Sequence, residues 1–319
     1  MKPLKQCTYL GKQVDGENPF SPVEEGKKMV SYLLGIGRNF PSLLMGFSAR
    51  KGARSIAWEI ADYFTHIGLN VFISKGAVPI SALSISLIKR NIPMGVYIDG
   101  DDSDAWHVLP LAAHGGPADP IENQNPTVFS LPFSGVIGET DLSDLYLKSI
   151  ESLTDFRFHT DTLLSQFVFP FPEIQKKMLE SDFWKKLFDP RQDSISATIS
   201  DDGQIVGLIS TTGKKIPIEE VFLTLGKYLI NVRGSWGTII GPPGTEILAQ
   251  KLSIKKMIEI QEIPNDPIEL SYRAGFSDLL LGWCQPGYLV HQGHSPFGDG
   301  LLTLTYLFET WDWEKSLKK

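Results

Sequence analysis

Residues 43–102 of the chain read LLMGFSARKGARSIAWEIADYFTHIGLNVFISKGAVPISALSISLIKRNIPMGVYIDGDD. Short apolar runs alternate here with stretches whose apolar residues recur at the spacing of a helix with one buried face. The pattern predicts strands and helices in the order Leu43–Met45, Ala53–His66, Val71–Ile73, Ile80–Lys89 and Gly95–Ile98. Gly68 is placed to cap the first of these helices. Strands joined through helices form a parallel sheet with right-handed crossovers, so the sequence predicts an α/β fold.

An acidic run follows the last of these strands. It places four carboxylates close together in the chain, at Asp99, Asp101, Asp102 and Asp104. Carboxylates this close repel one another and need solvent, a cation or hydrogen-bond donors. Ligands of open α/β sheets bind at the carboxyl ends of the strands, where Ser48, Arg50 and Lys75 are also expected. The run is therefore a candidate ligand site, with a solvated acidic turn as the alternative.

The composition argues against several classes of protein. The 319 residues carry a net charge of −7 with a pI near 5.4, which argues against nucleic acid as a partner. No apolar run reaches the ~18 residues of a membrane helix, and the N-terminal segment lacks the apolar core of a signal peptide. Two distant cysteines, Cys7 and Cys284, do not make a disulfide framework. We expect a cytoplasmic protein with no membrane partner.

The second half of the chain predicts a further α/β arrangement. We expect a helix over Glu173–Leu187, a β-hairpin that turns at Asp201–Gly203 and a helix over Ile218–Ile230. The turn GPPGT at 241–245 is similar to the start of a nucleotide-binding P-loop, but that motif ends in Gly-Lys-Ser/Thr and this chain continues with EIL. We therefore predict a tight turn and a helix that begins near Thr245.

Residues 43–102 resemble the first domain of the phosphohexomutases, the phosphoglucomutase and phosphomannomutase family. In that family a strand ends in Gly-x-Asp-x-Arg, and a later Thr-Ala-Ser-His-Asn-Pro loop carries a serine that exchanges a phosphoryl group with a hexose phosphate. Arg50 matches the arginine, and Ser48 replaces the aspartate. The resemblance puts Asp101 at the catalytic serine, Asp102 at the histidine and Ser103 at the asparagine. An aspartate would form a labile acyl phosphate in place of a stable ester, so ordinary mutase turnover is not expected.

The hairpin at Asp201–Gly203 resembles the metal loop of the family's third domain. That loop reads Asp-x-Asp-x-Asp-Arg and holds Mg²⁺. The three aspartate positions correspond here to Ser200, Asp202 and Gln204, and Ile205 stands at the arginine. Mg²⁺ prefers several oxygen ligands in octahedral geometry. The resemblance therefore implies a weakened Mg²⁺ site in which Asp202 is the one metal-ligating carboxylate.

In the family, a Gly-Glu-Glu-Ser-Gly loop recognises the sugar hydroxyls. It maps onto Trp283–Gly287, where Cys284 and Gln285 replace the two glutamates. The resemblance covers first- and third-domain-like parts, both α/β/α with mixed, mostly parallel sheets, and the family's fourth domain is not expected. The predicted domain organisation is a first domain over 1–130, a shortened linker or second-domain remnant over 131–171, and a third domain over 172–319.

Three functions are compatible with these observations. The first is a pseudo-enzyme that binds a phosphosugar or a protein partner without turnover, with candidate ligand-binding residues Arg50, Asp99, Asp102, Cys284, Gln285, His291 and His294. The second is an active phosphotransferase or phosphatase. YIDGDDS is also similar to the loop of haloacid dehalogenase-type phosphatases, in which Asp99 would attack and Asp101 would act as acid and base with Mg²⁺. The third is a homo-oligomeric scaffold, because absent domains would leave apolar surface exposed.

Two smaller groups have alternative interpretations. His291, His294 and Asp299 have a spacing compatible with a metal site, or the two histidines lie exposed in a loop. Cys284 is either a nucleophile or a buried structural thiol.

Overall fold

The computed structural model describes residues 7–9, 22–38, 41–100, 106–118, 133–154, 164–185, 188, 194–252 and 258–317. The chain divides into two compact units, Met1–Leu145 and Tyr146–Lys319. In the described ranges no helix has both the length and the apolar character needed to cross a bilayer. Asp101, Asp102 and Ser103, which the resemblance places on the phosphoserine loop, lie outside the described residues.

The first unit is built on one mixed sheet. Its elements are β1 (Cys7–Tyr9), α1 (Pro22–Gly35), β2 (Ser42–Phe47), α2 (Ala53–His66), β3 (Asn70–Ser74), α3 (Ile80–Arg90), β4 (Met94–Gly100), β5 (Trp106–Ala112) and β6 (Ile137–Thr140). The strand order is β1-β5-β4-β2-β3-β6. Strands β2, β3, β4 and β6 are parallel, and β5 is antiparallel to β4. The predicted α/β fold with mixed, mostly parallel sheets is confirmed.

Helix α2 shows how the sequence pattern becomes packing. It buries Ala57, Ile60, Ala61 and Phe64, which share one helical face, against the sheet. The helix ends at His66, and Gly68 follows it with a φ of +97°, which favours glycine, and with its N–H donating to Thr65 O at 3.0 Å. The predicted glycine cap is confirmed.

Strand β4 extends further than the sequence predicted. Asp99 pairs opposite His107, and Gly100 pairs opposite Trp106 on β5. The acidic run therefore begins inside a β-hairpin, not after the end of a strand.

The second unit contains two smaller sheets. Helix α4 (Ser143–Leu153) starts in the first unit and continues into the second. The following elements are β7 (Gln166–Val168), α5 (Pro172–Glu180), α6 (Asp182–Lys185), β8 (Ser196–Ile199), β9 (Val206–Ile209), α7 (Ile218–Asn231), β10 (Thr238–Gly241), α8 (Thr245–Ala249), β11 (Glu259–Glu262), α9 (Pro267–Ala274), β12 (Leu279–Cys284), β13 (Tyr288–His291) and α10 (Gly300–Leu317). The sheets have the orders β11-β10-β12-β13 and β7-β8-β9. The predicted hairpin is confirmed by the antiparallel pairing of β8 with β9.

One predicted helix is wrong. The continuous helix expected over Glu173–Leu187 is broken at Ser181, which is extended with φ −101° and ψ 128°. The break separates α5 from α6 and allows Trp184 to be fully buried, with its Nε1–H donating to Glu151 at 2.7 Å. Residues 131–171, expected as a linker or remnant, include β6, α4 and β7, and the predicted domain boundaries stay a prediction.

Candidate functional site

The carboxyl edge of the first sheet carries Ser48 directly after β2. The Ser48 N–H donates to Ile98 O on β4 at 3.0 Å. Its side chain is buried, and among the described residues its hydroxyl has no hydrogen-bond partner. Leaving a buried hydroxyl unsatisfied costs free energy. Ser48 Oγ is therefore a candidate donor to a bound ligand.

Arg50 lies against the start of the acidic run. A Cβ atom built on Gly100 would be 3.2 Å from Arg50 Cδ and 2.9 Å from the Trp106 ring, so a larger residue here would require these side chains to move. Asp99, the neighbouring residue, is half-buried in β4. Arg50 and the residue at the beginning of the acidic run are thus close in space, whereas Asp101 and Asp102 lie outside the described residues.

Two hairpin loops of the second unit lie side by side. The Val206 N–H, after the loop 200–205, donates to Gly287 O at 3.2 Å. Gly287 belongs to the loop 284–287, and a Cβ atom there would be 2.6 Å from Val206 O. The two loops that the resemblance linked to metal and to sugar are therefore neighbours in space.

Asp202 is held by donors of its own loop. Its Oδ1 accepts hydrogen bonds from the Ser200 hydroxyl and, at 3.0 Å, from the Gln204 N–H. Its Oδ2 accepts from the Gln204 side-chain amide. Ser200 Oγ also accepts from the Ile205 N–H at 2.9 Å. Both carboxylate oxygens therefore have hydrogen-bond donors within the loop.

In the second loop the Gln285 side chain is exposed, whereas the Cys284 side chain is buried. The Gln285 N–H donates to Asn265 Oδ1, and its Nε2–H donates to Glu219 Oε1, both at 2.9 Å. Cys284 is fully buried at the end of β12, and burial raises the pKa of its thiol to about 12. A thiol that stays protonated at neutral pH is a poor nucleophile. Of the two alternatives for Cys284, a nucleophile or a buried structural thiol, the structure therefore favours the structural thiol.

A surface cavity of about 380 Å³ adjoins Gln285. Its lining residues are Lys215, Pro217, Ile218, Glu219, Gln285 and Pro286. The volume lies within the range of small-molecule sites, and the lining combines an apolar part with opposite charges and an amide. Sequence reasoning missed Lys215 and Glu219, since neither belongs to a motif and Glu219 is 66 positions from the side chain it contacts.

The side chains of His291 and His294 are both buried, so the alternative of two exposed histidines is wrong. The His294 Nε2 lies 2.9 Å from Asp299 Oδ2, with side chains 1% and 0% exposed. The His291 Nε2 lies 2.7 Å from Thr303 Oγ1, whose own proton is donated to Asp299 O. His291 Nε2 therefore carries the proton. Burial lowers the pKa of His291 to about 3, with His294 lowering it further and Asp299 raising it.

Asp299 organises this buried cluster. Its Oδ1 accepts from the Leu302 N–H in the first turn of α10 at 2.9 Å and from the Tyr146 hydroxyl of α4 at 3.1 Å. Within the described part of the chain, no three His, Cys, Asp or Glu side chains are arranged to hold a metal ion. The cluster therefore joins α4 to the start of α10, and the metal interpretation of His291 and His294 has no support in this geometry.

Solved structures with the same arrangement of elements are phosphohexomutases. A candidate phosphomannomutase from Thermus thermophilus aligns with a TM-score of 0.70 and 17% identity, covering 91% of this chain and 76% of that chain. A phosphoglucomutase/phosphomannomutase family protein from Burkholderia thailandensis aligns at 0.68 and 14%, covering 93% and 74%. The phosphoglucomutase parafusin from Paramecium aligns at 0.65 and 11%, covering 98% and 73%. This chain has the phosphohexomutase fold.

The assignment of the phosphohexomutase fold rests on three-dimensional similarity. No family model and no curated protein sequence matches the chain. The resemblance drawn from residues 43–102 is confirmed at the level of the fold.

The Mg²⁺ that the phosphohexomutase fold implies does not fit the loop 200–204. Mg²⁺ requires oxygen ligands in near-octahedral geometry. Ser200 and Gln204 stand where the resemblance places the outer two metal ligands, and both donate hydrogen bonds to Asp202. Asp202, the one carboxylate at these three positions, thus has hydrogen-bond donors on both oxygens. Asp202 is part of a self-contained turn, and no step of the function proposed below passes through a metal ion.

The GPPGT turn is closed to a phosphate group as well. Glu262 Oε1 accepts from the Gly244 N–H at 2.8 Å and from the Glu246 N–H at 3.1 Å. A carboxylate therefore occupies the place at the start of α8 where an anion would bind. The prediction of a tight turn and a helix beginning at Thr245 is confirmed.

Proposed function

We propose that this protein binds a hexose phosphate and does not convert it as a mutase would. The pair of neighbouring hairpin loops in the second unit carries the proposal. Asp202 is hydrogen-bonded within its own loop, and Gln285 stands where the resemblance expects a glutamate. By the resemblance, two of the three metal-binding carboxylates and both sugar-binding glutamates are replaced in this chain. Such a fold is suited to binding a ligand more than to phosphoryl transfer.

The first unit supports the same proposal through its charge. At position 101 the chain has an aspartate where the resemblance places the phosphorylated serine. A carboxylate carries negative charge as phosphoserine does, but an acyl phosphate formed on it would hydrolyse in competition with transfer back to a sugar. Arg50 beside Gly100 is a planar cation suited to a phosphate group, and Ser48 Oγ is a further donor.

The cavity beside Gln285 supports recognition of a sugar. The Gln285 amide and the Glu219 carboxylate are groups that hydrogen-bond hydroxyls. Pro217 and Pro286 give an apolar surface for the C–H face of a ring, and Lys215 supplies a cation at the rim. The proposal includes a cytoplasmic location, which the free thiol of Cys284 fits.

Thermal unfolding with glucose 1-phosphate and mannose 1-phosphate tests the binding step. A ligand at 100 times its Kd stabilises the folded state by about 2.7 kcal/mol, which raises Tm by about 5–10 °C for a domain of this size. We expect such a rise with the hexose phosphates and a smaller one with glucose or inorganic phosphate. No rise at millimolar concentrations would remove this proposal in favour of the oligomeric scaffold.

Matched variants locate the binding groups. Gln285→Ala tests the cavity of the second unit and Arg50→Gln tests the sheet edge of the first unit; the variant that weakens the ligand-induced rise in Tm shows which unit holds the ligand. Arg54→Gln is the control, because it removes an equal charge from a nearby position in α2, where the side chain is 62% exposed. An effect of Arg54→Gln as large as that of Arg50→Gln would show that general charge, and not a specific contact, is responsible.

A mutase assay tests the absence of turnover. Formation of glucose 6-phosphate from glucose 1-phosphate is followed with Mg²⁺ and a trace of hexose bisphosphate, with Asp101→Asn alongside. We expect no turnover above background from either protein. Turnover that disappears in Asp101→Asn would contradict the proposal and would favour the phosphotransferase that uses the acidic run.

A further inference from the structure

The loop 200–205 contains a complete hydrogen-bond network around one carboxylate. Three donor groups point at Asp202, from the hydroxyl of Ser200 and from the N–H and amide of Gln204. The loop is also tied to the rest of the unit, because the Gly300 N–H donates to Gly203 O at 2.9 Å. These bonds fix the turn without an external group.

From this network we infer that Ser200 and Gln204 replace a divalent cation, so that the loop is formed and stable in the absence of any metal. A cation at a cluster of carboxylates serves to cancel their mutual repulsion and to saturate their oxygens. Here two of the three positions are neutral, so the side chains at these positions do not repel one another, and their donors bind the oxygens of the third. Both side chains are needed, because removing either Ser200 or Gln204 would take a hydrogen-bond donor away from Asp202.

The geometry opposes a cation at Asp202. A metal ion approaching Oδ1 or Oδ2 would have to displace the Ser200 hydroxyl or the Gln204 amide, whose hydrogens face those same oxygens. Displacing Ser200 would also disturb the bond from the Ile205 N–H to Ser200 Oγ, at the start of β9. Metal binding would therefore disrupt the turn of this loop, whereas it would stabilise a loop with a carboxylate at each of the three positions.

Restoring the carboxylates tests the inference. We expect the wild-type protein to unfold at the same temperature in EDTA, Mg²⁺ and Mn²⁺. The double variant Ser200→Asp/Gln204→Asp should be destabilised in EDTA, because three carboxylates then meet with only the backbone N–H of residue 204 left as a donor to Asp202, and Mg²⁺ or Mn²⁺ should recover about 5 °C or more of Tm. If the double variant does not fold, Gln204→Asp alone provides the same comparison.

A neighbouring turn provides the control. Ser210 and Thr212, whose hydroxyls lie 2.9 Å apart, form an exposed turn beyond β9. Ser210→Asp/Thr212→Asp adds the same charge, and its Tm should not respond to metal. The inference would be overturned by a metal-dependent rise in wild-type Tm that Asp202→Asn removes. A Ser200→Asp/Gln204→Asp variant as stable as wild type in EDTA and indifferent to metal would also overturn it. No sugar phosphate is present, so the outcome is independent of the proposed function.

Discussion

Replacement of Asp299 by alanine should destabilise the second unit by far more than the loss of a helix cap alone would. Asp299 is fully buried, and it accepts hydrogen bonds from the Leu302 N–H, the Tyr146 hydroxyl and His294. Loss of a capping acceptor costs about 1 kcal/mol, and each of the two side chains deprived of this buried partner adds at least about 1 kcal/mol. The free energy of unfolding should therefore fall by about 3 kcal/mol or more, which lowers Tm by about 6–12 °C.

A second capping aspartate provides the control for this prediction. Asp266 accepts from the N–H groups of Ile268 and Glu269 at the start of α9, at an exposed position. Asp266→Ala should cost only the cap, about 1 kcal/mol. Urea unfolding and calorimetry of both variants measure the difference. Equal destabilisation of the two variants would refute the view that the buried contacts with Tyr146 and His294 add to the cap.

Three further predictions concern buried groups. Burial lowers the pKa of His291 to about 3, so the stability that neutral His291 contributes is lost as pH falls below the pKa near 6.5 of the unfolded chain. Between pH 7 and pH 5, the free energy of unfolding in urea should therefore fall by about 2 kcal/mol less in His291→Gln than in wild type. The same pH dependence in both proteins would contradict this. Cys284, whose pKa burial raises to about 12, should resist iodoacetamide at pH 8 until the protein is unfolded; rapid labelling of its peptide in mass spectrometry would be inconsistent with this burial. Arg233 forms an ion pair at 3.2 Å with Glu309, whose side chain is 5% exposed. Arg233→Met should lower the free energy of unfolding by about 3–5 kcal/mol, because it leaves a buried charge without its cation, and adding Glu309→Gln should restore a large part of that free energy. Additive losses in the double variant would exclude this coupling.

The strands and helices of residues 43–102 were predictable because hydrophobic periodicity dominates there. Ala57, Ile60, Ala61 and Phe64 of α2 are buried as the pattern indicates. Strand β5 escaped prediction for a physical reason. It contains Pro110, which usually argues against a central strand. In the structure β1 pairs with Trp106–Val108, and beyond them the Pro110 carbonyl accepts a hydrogen bond from the Ala118 N–H at 2.9 Å, so β5 continues through the proline.

The candidate site was predictable only in part, because its partners come from distant parts of the chain. The motif comparison identified Gln285, but Glu219 and Asn265, which hold it, belong to no motif. The histidines illustrate the same limit. A His-x-x-His spacing in a glycine-rich segment gives no indication that Asp299 and Thr303 receive both side chains in a buried cluster.

Phosphorus NMR of glucose 1-phosphate with the purified protein tests the central claim most directly, because one spectrum reports both binding and conversion. Mg²⁺ and a trace of hexose bisphosphate are included, so that a competent mutase would be active. Binding without turnover predicts that the glucose 1-phosphate resonance broadens or shifts with added protein while no glucose 6-phosphate resonance grows. A growing glucose 6-phosphate resonance, or a glucose 1-phosphate resonance that the protein leaves unchanged, would contradict it.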